Sequence, residues 1–114
     1  MLKIKKFEVS DLYNIGNDNS GVFNVTFDRW VCPRGSFDPV FPFAKAAAEL
    51  SDAKLRVIDA FFEYEISNED FCAVFCWNGG FTIMTYVKRE IERGFAYETL
   101  KNACISINNE LNLQ

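Results

Sequence analysis

The stretch Phe71-Cys72-Ala73-Val74-Phe75-Cys76-Trp77, followed by Asn78-Gly79-Gly80 and then Phe81–Val87, decides the fold. Asn and Gly tolerate the positive φ that a tight hairpin turn requires, so Asn-Gly between two apolar, β-rich runs reads as a hairpin. Phe71–Trp77 is apolar throughout. Such a run fits a central strand, covered on both faces or open on one to a partner. Just upstream, Ser67-Asn68-Glu69-Asp70 reads as a second turn. Before it, Phe62-Glu63-Tyr64-Glu65-Ile66 alternates apolar with acidic residues, the signature of a half-buried strand. The pattern predicts a three-stranded antiparallel meander over residues 55–87. Lys54–Ser67 also carries a helical stripe through Val57, Ile58, Phe61 and Phe62. Its aromatic, strictly alternating second half favours a strand, and residues 54–60 stay open between strand and a continuation of the helix before them.

Working outward, Leu2–Val9 and Val22–Val31 are strand candidates. In the second, Phe23, Val25 and Phe27 alternate with Asn24, Thr26 and Asp28. The stretch Asn14–Gly21 between them is dense in turn-forming residues. Cys32–Val40 is a Pro-, Gly- and Ser-containing connection. Pro42 then suits a helix start, where its missing N–H costs nothing, and an alanine-rich helix runs over Pro42–Ser51. Gly94 breaks the chain before a last helix, Phe95–Leu111, with Ala96, Leu100, Ala103, Cys104, Ile107 and Leu111 on one face. The order β-β-α-β-β-β-α gives an α+β fold: a single domain over residues 1–114, an antiparallel sheet with two helices packed on one face.

Composition narrows the function. A chain of 114 residues, 49% hydrophobic and 25% charged, fits one soluble globule. The net charge of −4 disfavours a nucleic-acid binder. Histidine is absent, which removes His-based triads, imidazole acid–base catalysis and imidazole metal ligation. No GxGxxG, GxxxxGK[ST] or GxSxG motif occurs, so no cofactor and no catalytic nucleophile is expected. Met1–Ser10 is interrupted by charges and is not a secretory signal. No apolar run is long enough to span a membrane, and the expected compartment is the cytoplasm. Cys32, Cys72, Cys76 and Cys104 then read as reduced thiols packed in the interior, with no disulfide and no metal.

One feature of the surface points to a partner. Asp59, Glu63, Glu65, Glu69 and Asp70 fall within twelve residues, and on a single continuous strand Phe61 would share a face with Asp59, Glu63 and Glu65. An aromatic ring among carboxylates suits a basic protein: the ring supplies desolvated area and the acids supply steering. The opposing reading is a solvated strand face, or a helix lying over Phe61. Trp30 and Trp77, with Phe37, Phe41 and Phe43, form a second candidate patch whose ordinary reading is core. The function that follows is an inhibitor of the immunity-protein or antitoxin kind, covering a basic, nuclease-type toxin or similar enzyme. The alternatives are an adaptor subunit that forms a homodimer and a small carboxylate-dependent enzyme.

Overall fold

The computed structural model of the protein describes residues 1–9, 19–31, 37–59 and 62–112. In chain order the elements are β1 (Ile4–Val9), β2 (Asn19–Phe27), α1 (Phe41–Ser51), β3 (Lys54–Asp59), β4 (Glu63–Ser67), β5 (Phe71–Trp77), β6 (Thr82–Glu90) and α2 (Phe95–Asn112). The six strands form one sheet in the order β1-β2-β6-β5-β4-β3. Every neighbouring pair is antiparallel. The α+β class, the antiparallel sheet and the two helices are those the pattern predicts.

The strand count differs. Lys54–Ser67 is two strands, β3 and β4, so the meander has four strands rather than three. The reason is local. The connection between them holds no Gly, Pro or Asn, and Phe62 takes the left-handed conformation there, with φ 65°. A bulky side chain rarely adopts it, and no composition rule marks such a turn. Downstream, the hairpin sits where Asn78-Gly79-Gly80 places it, with both glycines at positive φ. Phe81 belongs to the turn rather than to the strand after it. Both indoles secure this turn: Trp30 Nε1 and Trp77 Nε1 each donate to the Gly80 carbonyl, at 2.8 and 3.0 Å.

Alternation assigns each strand's faces. Phe23, Val25 and Phe27 from β2, Ile83 and Val87 from β6, Phe71, Ala73 and Phe75 from β5, and Tyr64 and Ile66 from β4 join one buried core. Helix residues Phe43, Ala44, Ala47, Ala48, Ala96, Leu100, Ala103, Cys104 and Ile107 complete it. Five fully buried Phe side chains (Phe23, Phe27, Phe43, Phe71 and Phe75) each contribute about 1.5–3 kcal/mol of burial. Alanines on both helices keep the layer thin. α1 packs on β4, β3 and α2.

The helix ends are capped from outside. Asp38 Oδ1 accepts from the N–H groups of Val40 and Phe41, opening α1, while the Tyr64 hydroxyl donates to Asp38 Oδ2. Burial, reinforced by that acidic neighbour, pushes the Tyr64 phenol above its ordinary range. Glu90, fully buried at the end of β6, accepts from Gly94 N and Ala96 N at the start of α2. Its carboxylate satisfies donors that a helix leaves unpaired at its N-terminus and sits at the positive end of the helix dipole. Near the other end, Asn108 accepts from Leu2 N and donates to Leu2 O, both at 2.9 Å, tying α2 to the first strand. Asn108 and Tyr97, which the periodicity puts off the inward face of α2, both serve packing: Tyr97 stacks on Phe7 with ring centres 4.2 Å apart.

Candidate functional site: the open face of the sheet

Both helices lie on one side, so the opposite side of the sheet carries no covering element among the described residues. Strand register arranges its residues in rows. One row runs Asn24, Met84, Cys76, Glu63 across β2, β6, β5 and β4, and ends opposite Asp59 on β3. The next runs Val22, Tyr86, Val74, Glu65, Arg56. Thr26 and Thr82 flank the first row and share a hydrogen bond of 2.8 Å.

The face is hollowed. A concavity of about 590 Å³ is lined by Ser20, Val22, Ile58, Glu63, Tyr86 and Lys88, with Val74 among its walls. These residues come from all five strands from β2 to β3, so the sheet curls towards the uncovered side. Val74 is only 3% exposed although it lies on the face away from both helices. Its neighbours in the row, Tyr86 and Glu65, flank it, and the Lys88 stem crosses β5 to reach Glu65, as long amphipathic side chains do.

Glu65 is the electrostatic centre of its row. Its Oε2 accepts from Lys88 Nζ at 2.9 Å and its Oε1 from Arg56 at 3.1 Å. The Lys88 hydrogen bond, helped by the charges of Lys88 and Arg56, holds the Glu65 carboxyl below its ordinary range. The same bond holds the Lys88 ammonium above its own. Glu63, by contrast, has no ion-pair partner among the described residues. It does act on Cys76 opposite it: burial first, then the Glu63 charge, pushes that thiol up to about 11. Burial likewise raises Cys72, with Glu65 adding to it, and Cys104, with Asp28 adding to it. Raised thiols hold little thiolate at neutral pH and are poor nucleophiles and metal ligands. All three are free cysteines. Cys32 lies outside the described residues.

Of the six residues expected to bind a partner, the described side chains fall in two places. Glu63 and Glu65 do share the open face. Glu69 and Asp70 sit at the other end of β4, exposed in the turn to β5. There Asn68 Oδ1 caps Asp70 N and Phe71 N, and Arg89 donates to the carbonyls of Asn68 and Glu69. Asp70 lines a separate hollow of about 300 Å³ with Glu92, Ile91 and Phe95. Asp59 is placed by its backbone, opposite Glu63; Phe61 lies outside the described residues. The chain reverses between β3 and β4, so Lys54–Ser67 is not the single strand expected. Ile58 lines the open hollow. Of the aromatic patch, Phe43 is core, Phe41 stacks on Tyr64, Trp30 is half-buried and Phe37 is 92% exposed.

Sequence reasoning missed Val22, Tyr86, Lys88 and Arg56. The one signal for them was the two-sided apolarity of Phe71–Trp77, which requires an apolar outer row. Which residues join that row depends on β2 pairing with β6, and that pairing is distant in sequence.

The strands at the sheet edges are defended. β1 carries exposed Lys5 and Lys6, with an irregularity between Ile4 and Lys6. β3 carries exposed Lys54 and Arg56, with another between Val57 and Asp59. Charge and bulges on an edge disfavour addition of another strand. Among the described residues no group of three or more Cys, Asp and Glu side chains could hold a metal ion, and no helix is long and apolar enough to cross a membrane. Comparison with known proteins found no matching family, no matching curated protein and no matching solved structure.

Proposed function

We propose that this chain is a protein-binding inhibitor, of the immunity-protein or antitoxin kind, that covers the active surface of a basic, nuclease-type partner with the open face of its sheet. The observation that carries the reading is the row Val22, Tyr86, Val74 with Met84 and Ile58 beside it. It is an apolar, partly aromatic strip on the hollowed face away from both helices, with Tyr86 and Ile58 each 40% exposed and Val74 buried between its neighbours. An apolar, aromatic centre with charged residues around it is the usual anatomy of a protein interface. The defended edges favour docking on the face over strand addition. The chain's net charge of −4 attracts a basic partner at long range. Glu69 and Asp70, exposed in their turn, contribute to this steering rather than to the buried contact. The hot-spot role expected of Phe61 passes to Tyr86. A carboxylate-dependent enzyme is less well supported, since Glu65 is already committed to two cations.

The test is neutralisation. Each gene flanking that of this chain is expressed alone and together with it. One product is expected to arrest growth, with this chain restoring it and binding the product directly. Tyr86→Asp should weaken that binding at least about tenfold, whereas Ile105→Asp, on the exposed side of α2, should leave it unchanged. Equal binding by Tyr86→Asp overturns the open-face reading. If no flanking product is toxic or bound, the inhibitor reading falls.

A further inference from the structure

The charges of the open face are unevenly matched. Glu65 has two cations within 3.1 Å, and the Lys88 ammonium is taken up by it. Glu63, lining the same hollow, has none among the described residues. Among the described residues the hollow therefore holds one carboxylate without an ion pair. The Tyr86 ring stands across from it, 40% exposed and with no described ring stacked on it. Tyr86 is on β6 and Glu63 on β4, one register row apart on this face, so two strand spacings across and two residues along separate them, about 12 Å. Val74 and Cys76 lie on β5 between them, and Ile58, on β3 beside Glu63, lines the hollow.

These groups match one chemical shape. A methylene stem would lie along an apolar wall of the hollow, a flat cation would cover the ring face, and one edge of that cation would meet the Glu63 carboxylate. A guanidinium does both at once: it stacks on aromatic rings and offers paired N–H groups to a carboxylate. A compact, strongly hydrated ammonium does the second but stacks less well. Resting on the docking role of this face, we infer that the hollow between Glu63 and Tyr86 receives an arginine side chain of the partner protein. Arginine also suits the centre of such an interface, where large, partly apolar anchors carry most of the affinity.

The probe is Nα-acetyl-arginine amide, titrated into the intact protein and followed by amide and Tyr-ring NMR shifts. Its citrulline counterpart, the same shape without the charge, is the control. Saturable shifts should gather at Val22, Ile58, Glu63, Val74 and Tyr86. Citrulline should bind at least about fivefold more weakly. Glu63→Gln keeps the side-chain shape and should weaken arginine by a similar factor; Tyr86→Leu keeps the apolar volume and should weaken it less. Asp70→Asn should change nothing, which separates this site from general attraction to an acidic protein. The NMR spectrum itself reports that each variant is folded. The inference is overturned by the absence of saturable shifts, by equal binding of citrulline, by indifference to Glu63→Gln, or by shifts centred on Glu69 and Asp70. A partner whose binding is lost with Tyr86→Asp but kept with Glu63→Gln leaves the docking role standing and removes the arginine.

Discussion

The two faces of the sheet are built from the same strands and obey different rules. On the covered face, β2, β6, β5 and β4 present Phe23, Thr85, Phe75 and Tyr64 in one register row, and three of the four are apolar or aromatic groups that pack tightly. On the open face, the row Val22, Tyr86, Val74, Glu65, Arg56 passes from apolar to ionic. The covered face is stabilised by volume, filled against two helices. The open face is held by side chains reaching across strands, as Lys88 does over β5. Residues one position apart on a strand therefore differ in what their loss should cost. A core position loses packing that nothing else restores, whereas an open-face position loses an interaction that water partly replaces.

The sharpest way to break that contrast is to truncate one residue from each side. Leu100→Ala removes a fully buried side chain between α2 and the sheet and should cost about 2–5 kcal/mol by denaturant unfolding. Tyr86→Ala, on the open face, should cost well under that. Equal losses would mean the open face is as tightly packed as the core.

Next in size is Glu90→Ala. It leaves the part-buried N–H of Gly94 and the buried N–H of Ala96 without their acceptor. The expected loss is about 2–4 kcal/mol, since each unsatisfied buried donor costs roughly 1–3. Hydrogen exchange should rise first in the opening turn of α2. A loss below about 0.5 kcal/mol, ordinary for a surface change, would remove Glu90 from the capping role.

Thr85 is the exception on the covered face. It is fully buried, and its Oγ1 has no hydrogen-bond partner among the described residues. Thr85→Val keeps the shape and removes the desolvated hydroxyl, so it should raise stability by about 1 kcal/mol. A loss of stability would show that the hydroxyl is bonded in solution.

The smallest effect belongs to the ion network. Glu65→Gln should cost less than about 1 kcal/mol, as for other partly exposed pairs. Its pH dependence is the informative part. Glu65 is held below its ordinary value of 4.5, so the folded state binds fewer protons than the unfolded one. The stabilisation is complete above pH 4.5 and disappears as pH falls through the lower folded value. The difference between wild type and Glu65→Gln should therefore be flat at neutral pH and close in acid. A gap that persists at low pH would assign the effect to packing.

The strands and helices were legible because their signals are local. Phe23, Val25 and Phe27 alternate, Pro42 opens an alanine run, and Asn78-Gly79-Gly80 turns the chain. Each of these needs only the few residues around it. The split of Lys54–Ser67 was not legible, because Phe62 occupies a left-handed position with none of the residues that usually announce one. The acidic stretch from Asp59 to Asp70 is one cluster when counted along the chain, yet the length of β4 divides it between the open face, with Glu63 and Glu65, and a sheet end, with Glu69 and Asp70.

The sequence by itself determined the element types, the inward residues of β2 and most of those of α2, the absence of imidazole chemistry and the acidic balance. These follow from composition and from backbone periods of 2 and 3.6 residues. Only the tertiary structure decided that β6 lies between β2 and β5, that both helices share one side, and that Lys88 and Arg56 meet at Glu65 while Glu63 has no ion pair among the described residues. Strand order is a choice among distant pairings, and the free energy that selects it is the burial of one whole face under both helices. No short window of residues contains that sum.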